Sequence, residues 1–419
     1  MMQQDSKSIR LPIRLLELGV ATSALTVMRI GPLQISDILL FGALCALLLA
    51  GRRHQEYTAE ARERIRNGLA VTIIGIILTA LITEFAAGQG YSSLSVALRF
   101  GSVLVAFPYL LSAAVIPKAE LKRLALFLCL SGAVNGTIAA LDQWVGTNIG
   151  PMKYTWNAYR PLAIARAVGM TEHPNLLGYS GAVTGTVAMA FISSAEDQRS
   201  RRLAGYMFVP IVAGVIASGS RAALIGLFFG GVVVWKYRPK WKKGRMIESV
   251  VAAGLVIFAA AYAAGVRLDR STFGRVVSDR SSQLSDVERR NSLAQYRQWL
   301  LNSVLVGRGY ENLRLVHSAP LAVYLSGGLF ALLAVAVWVR LISRAGATLR
   351  STPDPTLQLL GCAGVAGLWS AISFLTTQPM IFHRYAILPA SLILAGYAQV
   401  NLRNTAPLAE RKPSPRRTP

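Results

Sequence analysis

Long apolar runs, separated by short clusters of basic residues, constrain the fold of this chain more than any other feature of its sequence. A run of about 18 or more mostly apolar residues is long enough to cross a bilayer as an α-helix. Hydrophobic residues make up 53% of the 419 residues and charged residues only 15%, well below the roughly 25% of ordinary soluble domains. The sequence therefore predicts an all-α, polytopic membrane protein. It argues against a soluble enzyme, a nucleic-acid-binding domain or a secreted disulfide scaffold.

Run lengths predict about twelve transmembrane helices with no soluble domain between them. The predicted spans cover approximately residues 13–30, 34–50, 68–87, 94–116, 121–141, 174–193, 203–219, 221–235, 249–266, 317–340, 356–376 and 382–399. We therefore expect residues 1–405 to form a single transmembrane helical domain. The Pro- and Arg-rich residues 406–419 are expected to form a disordered tail.

Basic clusters lie on alternate turns between the predicted spans, and this alternation orients the bundle by the positive-inside rule. If the N-terminus is inside, inner turns carry clusters such as Arg62, Arg64 and Arg66, whereas the short outer turn 88–93 is neutral. The pattern predicts that both termini are cytoplasmic. The net charge of +24 is then explained by membrane topology, and nucleic acid is not an expected partner.

Two predicted outer loops are long, at about residues 142–174 and 267–316. The second contains nine arginines and no lysine. Arginine presents a planar fork that fits phosphate, and it keeps its charge when buried. The loops therefore predict an outward-facing site for an anionic substrate, a phosphate or pyrophosphate. The alternative is a solvated loop in which the arginines pair with nearby carboxylates.

Within the second loop, Ser285-Asp-Val-Glu288 predicts a helix start, because the Ser and Glu side chains of this pattern cap the first turn. Arg290 and Arg297 are seven residues apart and so share one face of that helix, beside an apolar stripe. Such a helix would lie on the outer membrane surface at the level of the lipid phosphates. An ordinary loop helix is the alternative.

Two histidines lie where the long loops meet the predicted spans. His317 follows the tight turn Gly307-Arg-Gly309, at the water-facing edge of a span. Its pKa near neutrality suits a general base or a group that orients a hydroxyl, although a lone interfacial His is often structural. His173, in Glu172-His-Pro-Asn175, precedes a span, and its neighbours favour a role in capping a helix start.

Two further arginines lie outside the long loops. Arg221 follows the turn Ala217-Ser-Gly-Ser220 between two spans. Arg99 falls inside the fourth span, where a charge costs roughly 2.5–3.5 kcal/mol on insertion scales. We therefore expect Arg99 to face a cavity or a partner, for which Asp37 and Glu84 on neighbouring spans are candidates.

The order of several short motifs resembles the O-antigen ligase and polymerase superfamily of bacterial envelope glycosyltransferases. An Arg-x-x-Gly and a Pro-Asn-Leu-x-Gly come first, then a Ser-Arg-Ala-Ala-Leu turn, an Arg-rich loop, a Gly-x-Gly and a His that opens the next span. In this chain they are Arg166-Ala-Val-Gly169, Pro174-Asn-Leu-Leu-Gly178, Ser220-Arg-Ala-Ala-Leu224, Arg289 with Arg290, Gly307-Arg-Gly309 and His317. The motifs cover about residues 160–345, and the twelve-span layout extends the resemblance over the whole chain.

The resemblance implies a GT-C-like glycosyltransferase in the bacterial inner membrane, with its active site facing the periplasm and with no metal or cofactor. Its expected partners are membrane lipids, a glycan donor linked to undecaprenyl pyrophosphate, and an acceptor hydroxyl. By the match, Arg221 and Arg289 or Arg290 hold the pyrophosphate, Arg166 assists, and His317 orients or deprotonates the acceptor. Supporting roles are expected for Arg99, Arg297, Arg308 and His173.

The acceptor is left open by the sequence, because the candidate enzymes share the same donor site. A ligase, the leading expectation, uses lipid A–core, whereas a polymerase for O-antigen or exopolysaccharide extends a growing glycan. A protein O-oligosaccharyltransferase uses a Ser hydroxyl. The alternatives from another class are a twelve-span transporter, in which Asp37 or Glu84 could couple protons, and a flippase for lipid-linked sugars.

Overall fold

The structure is a computed structural model. It describes residues 2–30, 33–51, 59–87, 92–114, 116–150, 166–237, 304–311, 318–376 and 387–400, with the single positions 287, 291, 296, 297, 301 and 385. Its regular elements in chain order are α1 (Met2–Ala21), β1 (Arg29–Ile30), β2 (Leu33–Gln34), α2 (Ile35–Gly51), α3 (Ala59–Ala87), α4 (Ser92–Ala113), α5 (Lys118–Ala140) continued by a π-helical turn (Leu141–Val145), α6 (Pro174–Ser194), α7 (Gln198–Ala217), α8 (Arg221–Tyr237), α9 (Ala319–Ser351), α10 (Pro355–Leu375) and α11 (Ile387–Tyr397).

Seven of these helices are long and apolar enough to cross a membrane, which supports the prediction of a helical membrane protein. They are Glu60–Phe85, Ser93–Ala113, Lys118–Val145, Pro174–Ser194, Gln198–Ala217, Ala319–Ser351 and Pro355–Leu375. Two shorter apolar helices cover Ile35–Leu49 and Ile387–Tyr397. The predicted span 249–266 and the tail 406–419 lie outside the described residues, so the count of twelve stays a prediction.

The first predicted span, 13–30, is wrong in its second half. The helix ends at Ala21, and the chain continues irregularly into the hairpin of β1 and β2. Polar side chains of α5 bind both backbone groups of Ala24: its N–H donates to Ser131 Oγ at 2.8 Å, and its carbonyl accepts from Asn135 Nδ2 at 3.3 Å. These bonds replace the helical ones that buried backbone would otherwise lack.

The centre of the bundle is α6, which packs against α5, α7, α8 and α10 and is buried along nearly its whole length. Beside it, α5 and α7 cross at Gly136 and Gly214. A Cβ built on Gly214 would lie 2.5 Å from Gly136 Cα, and one built on Gly136 would overlap the Pro210 carbonyl. This crossing is possible only because the two glycines have no side chain.

Ion pairs connect three helix starts at one end of the bundle. Lys122 of α5 pairs with Asp197, which caps α7, and Lys118 pairs with Asp354, which caps α10. At the opposite end, α5, α7 and α10 finish and α6 and α8 begin. We name this second end the Arg166 end and define it by residues 166–175 and 218–221.

Candidate functional site

The chain before α6 is bound to α5 and α7 at the Arg166 end. The Ala167 N–H donates to the Ala217 carbonyl at 3.1 Å, and the Met170 N–H donates to Asn135 Oδ1 at 2.8 Å. Gly169 has φ of 53° and lies so close to Asn135 that a Cβ there would overlap the amide oxygen. The glycine of Arg166-x-x-Gly169 is therefore required by both its backbone conformation and this close approach.

The Arg166 side chain connects the start of α6 with the turn before α8. Its Nε donates to the Ser218 carbonyl at 2.7 Å, and its Nη2 donates to the Asn175 amide oxygen at 2.5 Å. Gly219, with φ of 61°, leaves room for the arginine, because a Cβ there would lie 3.2 Å from Nε. One guanidinium thus joins Asn175 to Ser218, which is 43 residues later in the chain.

A second glycine brings α8 against α6. A Cβ built on Gly178 would lie 2.8 Å from the Cβ atoms of both Ser220 and Ala223. The last glycine of Pro174-Asn-Leu-Leu-Gly178 therefore allows the Ser-Arg-Ala-Ala-Leu segment to pack closely, and Arg221 is the first residue of α8. The Arg166, Pro174 and Ser220 motifs meet at one end of the bundle.

His173 caps α6, which confirms the capping role predicted for it. Its Nδ1 accepts the Asn175 N–H at 3.1 Å, and Pro174 occupies the first helical position. Burial, and then the nearby charge of Arg166, lower the pKa of His173 from 6.5 to about 4. The imidazole is therefore neutral at pH 7, and because Nδ1 accepts, its proton lies on Nε2.

This lowered pKa predicts acid sensitivity. The folded protein binds the His173 proton less readily than the unfolded chain, so this contribution to the free energy of unfolding is complete above pH 6.5 and is lost as the pH falls toward about 4. His173→Asn keeps a capping side chain but does not titrate. We expect the melting temperature of the wild type to fall a few degrees further than that of His173→Asn between pH 7.5 and pH 4.5. Equal falls in both proteins would contradict the burial of a neutral His173.

The Arg166 end is suited to an anion. The starts of α6 and α8 both lie there, and a helix start carries a partial positive charge from its backbone N–H groups. Arg166 and the half-buried Arg221 each add a positive charge, and Glu172 adds a negative one. In the described part of the chain, no group of three His, Cys, Asp or Glu side chains is placed to hold a metal ion. The arginines and the two helix starts are groups at this end that could stabilise a negative charge.

Arg308 lies in a turn whose residues contact α3, α4 and a break in α9. The predicted span 317–340 begins near the start of α9, but the helix is interrupted at Gly327 and Gly328, where φ reaches 64°. The Arg308 and Gly309 N–H groups donate to the Leu325 and Ser326 carbonyls, at 2.7 and 3.0 Å.

The neighbouring Tyr310 fixes the same turn from the other side. Its N–H donates to Ser93 Oγ at 2.6 Å, and its hydroxyl lies 2.7 Å from Thr79 Oγ1. Gly307 and Gly309 have φ of 78° and 109°, so the predicted tight turn is confirmed. These contacts hold the backbone of Arg308 at one place on the bundle.

The carboxylates expected to pair with Arg99 cap helices. Asp37 Oδ2 accepts the Gln34 N–H at 3.1 Å at the start of α2, and Glu84 Oε1 accepts the Leu94 N–H at 2.8 Å at the start of α4. Arg99 itself is exposed on α4. The pairing therefore stays a prediction.

Of the remaining candidate residues, only Arg297 is among the described residues. Arg289, Arg290 and His317 are not among the described residues. Arg297 is exposed, whereas the preceding Tyr296 is buried, as expected for the apolar stripe of an amphipathic helix. Their roles stay predictions.

Sequence reasoning missed the side chains that organise the Arg166 end. Asn135, an amide inside an apolar run, is fully buried and binds both Ala24 and Met170. A polar residue at such a position is a signal for an internal contact, because burying an unsatisfied amide is costly. For Asn175, the sequence predicts only a position at a helix start.

No protein-family model and no curated protein sequence matches this chain. The family resemblance of the motifs therefore remains a hypothesis.

Proposed function

We propose that this protein is a metal-independent membrane glycosyltransferase. It transfers a glycan from undecaprenyl pyrophosphate to an acceptor hydroxyl on the outer side of the bacterial inner membrane, as an O-antigen ligase with lipid A–core as acceptor. The observation that supports this most directly is the Arg166 contact with Asn175 and Ser218. It gathers three motif segments, two helix starts and two arginines at one end of the bundle.

The arrangement suits departure of a pyrophosphate. As the bond between the sugar and the pyrophosphate oxygen breaks, negative charge develops on the leaving group. Arg166 and Arg221, with Arg289 or Arg290, would stabilise that charge. The acceptor oxygen forms the new bond to the sugar, and His317 takes the acceptor proton.

The proposal includes a topology. In the proposed topology, with twelve spans, GT-C-like architecture and both termini cytoplasmic, the Arg166 end lies on the periplasmic side. This is the side on which a lipid-linked glycan and lipid A–core would meet. The basic residues Lys118 and Lys122, at the opposite end, fit the cytoplasmic side by the positive-inside rule.

Deleting the gene tests the proposal. We expect long glycans to remain on undecaprenyl pyrophosphate while lipid A–core stays bare, as measured on gels and by mass spectrometry. Single repeat units, either stranded on the lipid or capping the acceptor, would instead identify a polymerase. If neither glycan pool changed, the transferase proposal would fail and a transporter would be the better hypothesis.

A further inference from the structure

One buried amide of α5 bonds two stretches of non-helical backbone. Asn135 is fully buried. Its Oδ1 accepts the Met170 N–H at 2.8 Å, and its Nδ2 donates to the Ala24 carbonyl at 3.3 Å. Ala24 follows the end of α1, whereas Met170 lies in the chain before α6. A single side chain therefore joins the N-terminal part of the chain to the Arg166 end.

The two stretches also bond each other and a second polar residue of α5. The Val27 N–H donates to the Met170 carbonyl at 3.2 Å, so the Met170 N–H and carbonyl are both bound. The Ala24 N–H donates to Ser131 Oγ at 2.8 Å, and Ser131 lies one turn before Asn135 on the same face of the helix. Polar side chains of α5 thus bind backbone groups that have no helical partner.

The two backbone partners require an amide at position 135. The Ala24 carbonyl needs a donor and the Met170 N–H needs an acceptor, and asparagine carries both on one planar group. An ionised carboxylate has no donor, and leucine has neither group. The approach is also close, because a Cβ built on Gly169 would lie 2.4 Å from Asn135 Oδ1. The glycine of Arg166-x-x-Gly169 is therefore matched to a residue outside that motif.

The bonds at Met170 limit where Arg166 can lie, because only three residues separate the two. Between them, the Ala167 N–H donates to the Ala217 carbonyl at 3.1 Å. The Arg166 side chain then contacts Ser218, directly after the end of α7. The backbone that carries Arg166 is thus bound to α5 at Met170 and to α7 at Ala167.

We propose that Asn135 is a positioning residue, which fixes the backbone that carries Arg166 and makes the segment around Ala24 part of the framework of the site. The motifs that resemble the glycosyltransferase superfamily cover about residues 160–345, a range that contains neither Asn135 nor Ala24. The framework therefore extends into the N-terminal helices. The consequence for glycan transfer rests on the proposed function, whereas the hold of Asn135 on Met170 does not.

Hydrogen exchange of the purified full-length protein, resolved at single amides by mass spectrometry, tests this hold without any ligand. In the wild type, we expect the Met170 N–H to exchange at least about a hundredfold more slowly than in a short peptide of the same sequence. The rate at Met170 is then divided by the rate of amides in the middle of α10, which removes any general loss of stability. Asn135→Ala should raise this ratio at least about tenfold, because the N–H loses its buried acceptor.

Thr186→Val is the matched control for loss of a buried polar group. Thr186 is also fully buried, and its hydroxyl donates to the Ala182 carbonyl of its own helix at 2.8 Å. Valine has a similar shape but no hydroxyl. This variant should lower the general stability without freeing Met170, so the exchange ratio should change less than about twofold.

Glycan transfer tests the consequence for the site, at a temperature well below the melting temperature of every variant. We expect Asn135→Ala to lower the transfer rate at least about tenfold, because a misplaced Arg166 no longer matches the leaving group. Thr186→Val should keep the wild-type rate within about twofold. In an Arg166→Ala background, Asn135→Ala should cause no further loss, because Asn135 acts through Arg166. A purely structural role would lower the rate in both backgrounds.

The outcomes separate the hold from its consequence. Fast exchange of Met170 in the wild type, or an unchanged ratio in Asn135→Ala, would overturn the hold. A raised ratio with full transfer in Asn135→Ala would overturn the positioning role. If the wild type transfers no glycan from a lipid-linked donor, the proposed function fails and the exchange ratio still decides the hold. If Asn135→Ala does not fold, exchange of Met170 in the wild type decides it.

Discussion

Replacing Arg221 with alanine is expected to lower glycan transfer by about 100- to 1,000-fold while the protein remains folded. Removing one group that stabilises charge developing in a transition state typically has an effect of this size. Arg221 is the first residue of α8, and alanine is a good helix former there. The measurement is the transfer rate of the purified full-length protein with a lipid-linked donor and its acceptor. His317→Ala should cause a comparable loss, because in the proposed mechanism the acceptor loses the group that takes its proton.

Two variants make the Arg221 result interpretable. Arg202→Ala removes an exposed arginine near the start of α7, at the opposite end of the bundle, and should keep full activity. Arg221→Lys should have a transfer rate between those of the wild type and Arg221→Ala, since lysine keeps the charge but not the planar fork. Full activity in Arg221→Ala and in His317→Ala would show that the reaction centre lies elsewhere.

The helix starts at this site could be predicted from local sequence. Predicted spans 174–193 and 221–235 begin at the first residues of α6 and α8. In the first case the signal is His173 followed by Pro174, and in the second it is Ser220 after a glycine turn. Such capping patterns act within a few residues, so a single sequence contains them in full.

The partner of Arg166 could not be predicted, because the contact is not local. Asn175 and Ser218 are ordinary helix-start and turn residues when considered alone. Their joint role depends on α6 and α7 being packed with their relevant ends together. The same is true at Ala24, where the helix end depends on Ser131 and Asn135 of another helix.

The break in α9 could not be predicted from the sequence for a different reason. Gly327 and Gly328 lie within an apolar run, and run length does not distinguish a continuous helix from an interrupted one. The backbone groups freed by the interruption are bound by the turn around Arg308, about twenty residues earlier. A helix can be broken inside a membrane protein when another part of the chain satisfies its backbone.

The largest effect on folding is expected from valine at Gly136, where α5 and α7 cross. The added side chain would overlap the Pro210 carbonyl, which belongs to helix backbone and cannot rotate away. We expect Gly136→Val to cost about 3 kcal/mol of unfolding free energy. The protein should then fail to run as a monodisperse species in size-exclusion chromatography, or melt far below the wild type.

The control is Gly205→Ala, also on α7, which adds a methyl group with no atom within 4 Å. It should be neutral or stabilising by up to about 1 kcal/mol. The helix α7 ends beside Arg166 and Ser218. If the Gly136→Val protein folded normally, the position of α7 at the Arg166 end would not depend on the crossing of α5 and α7.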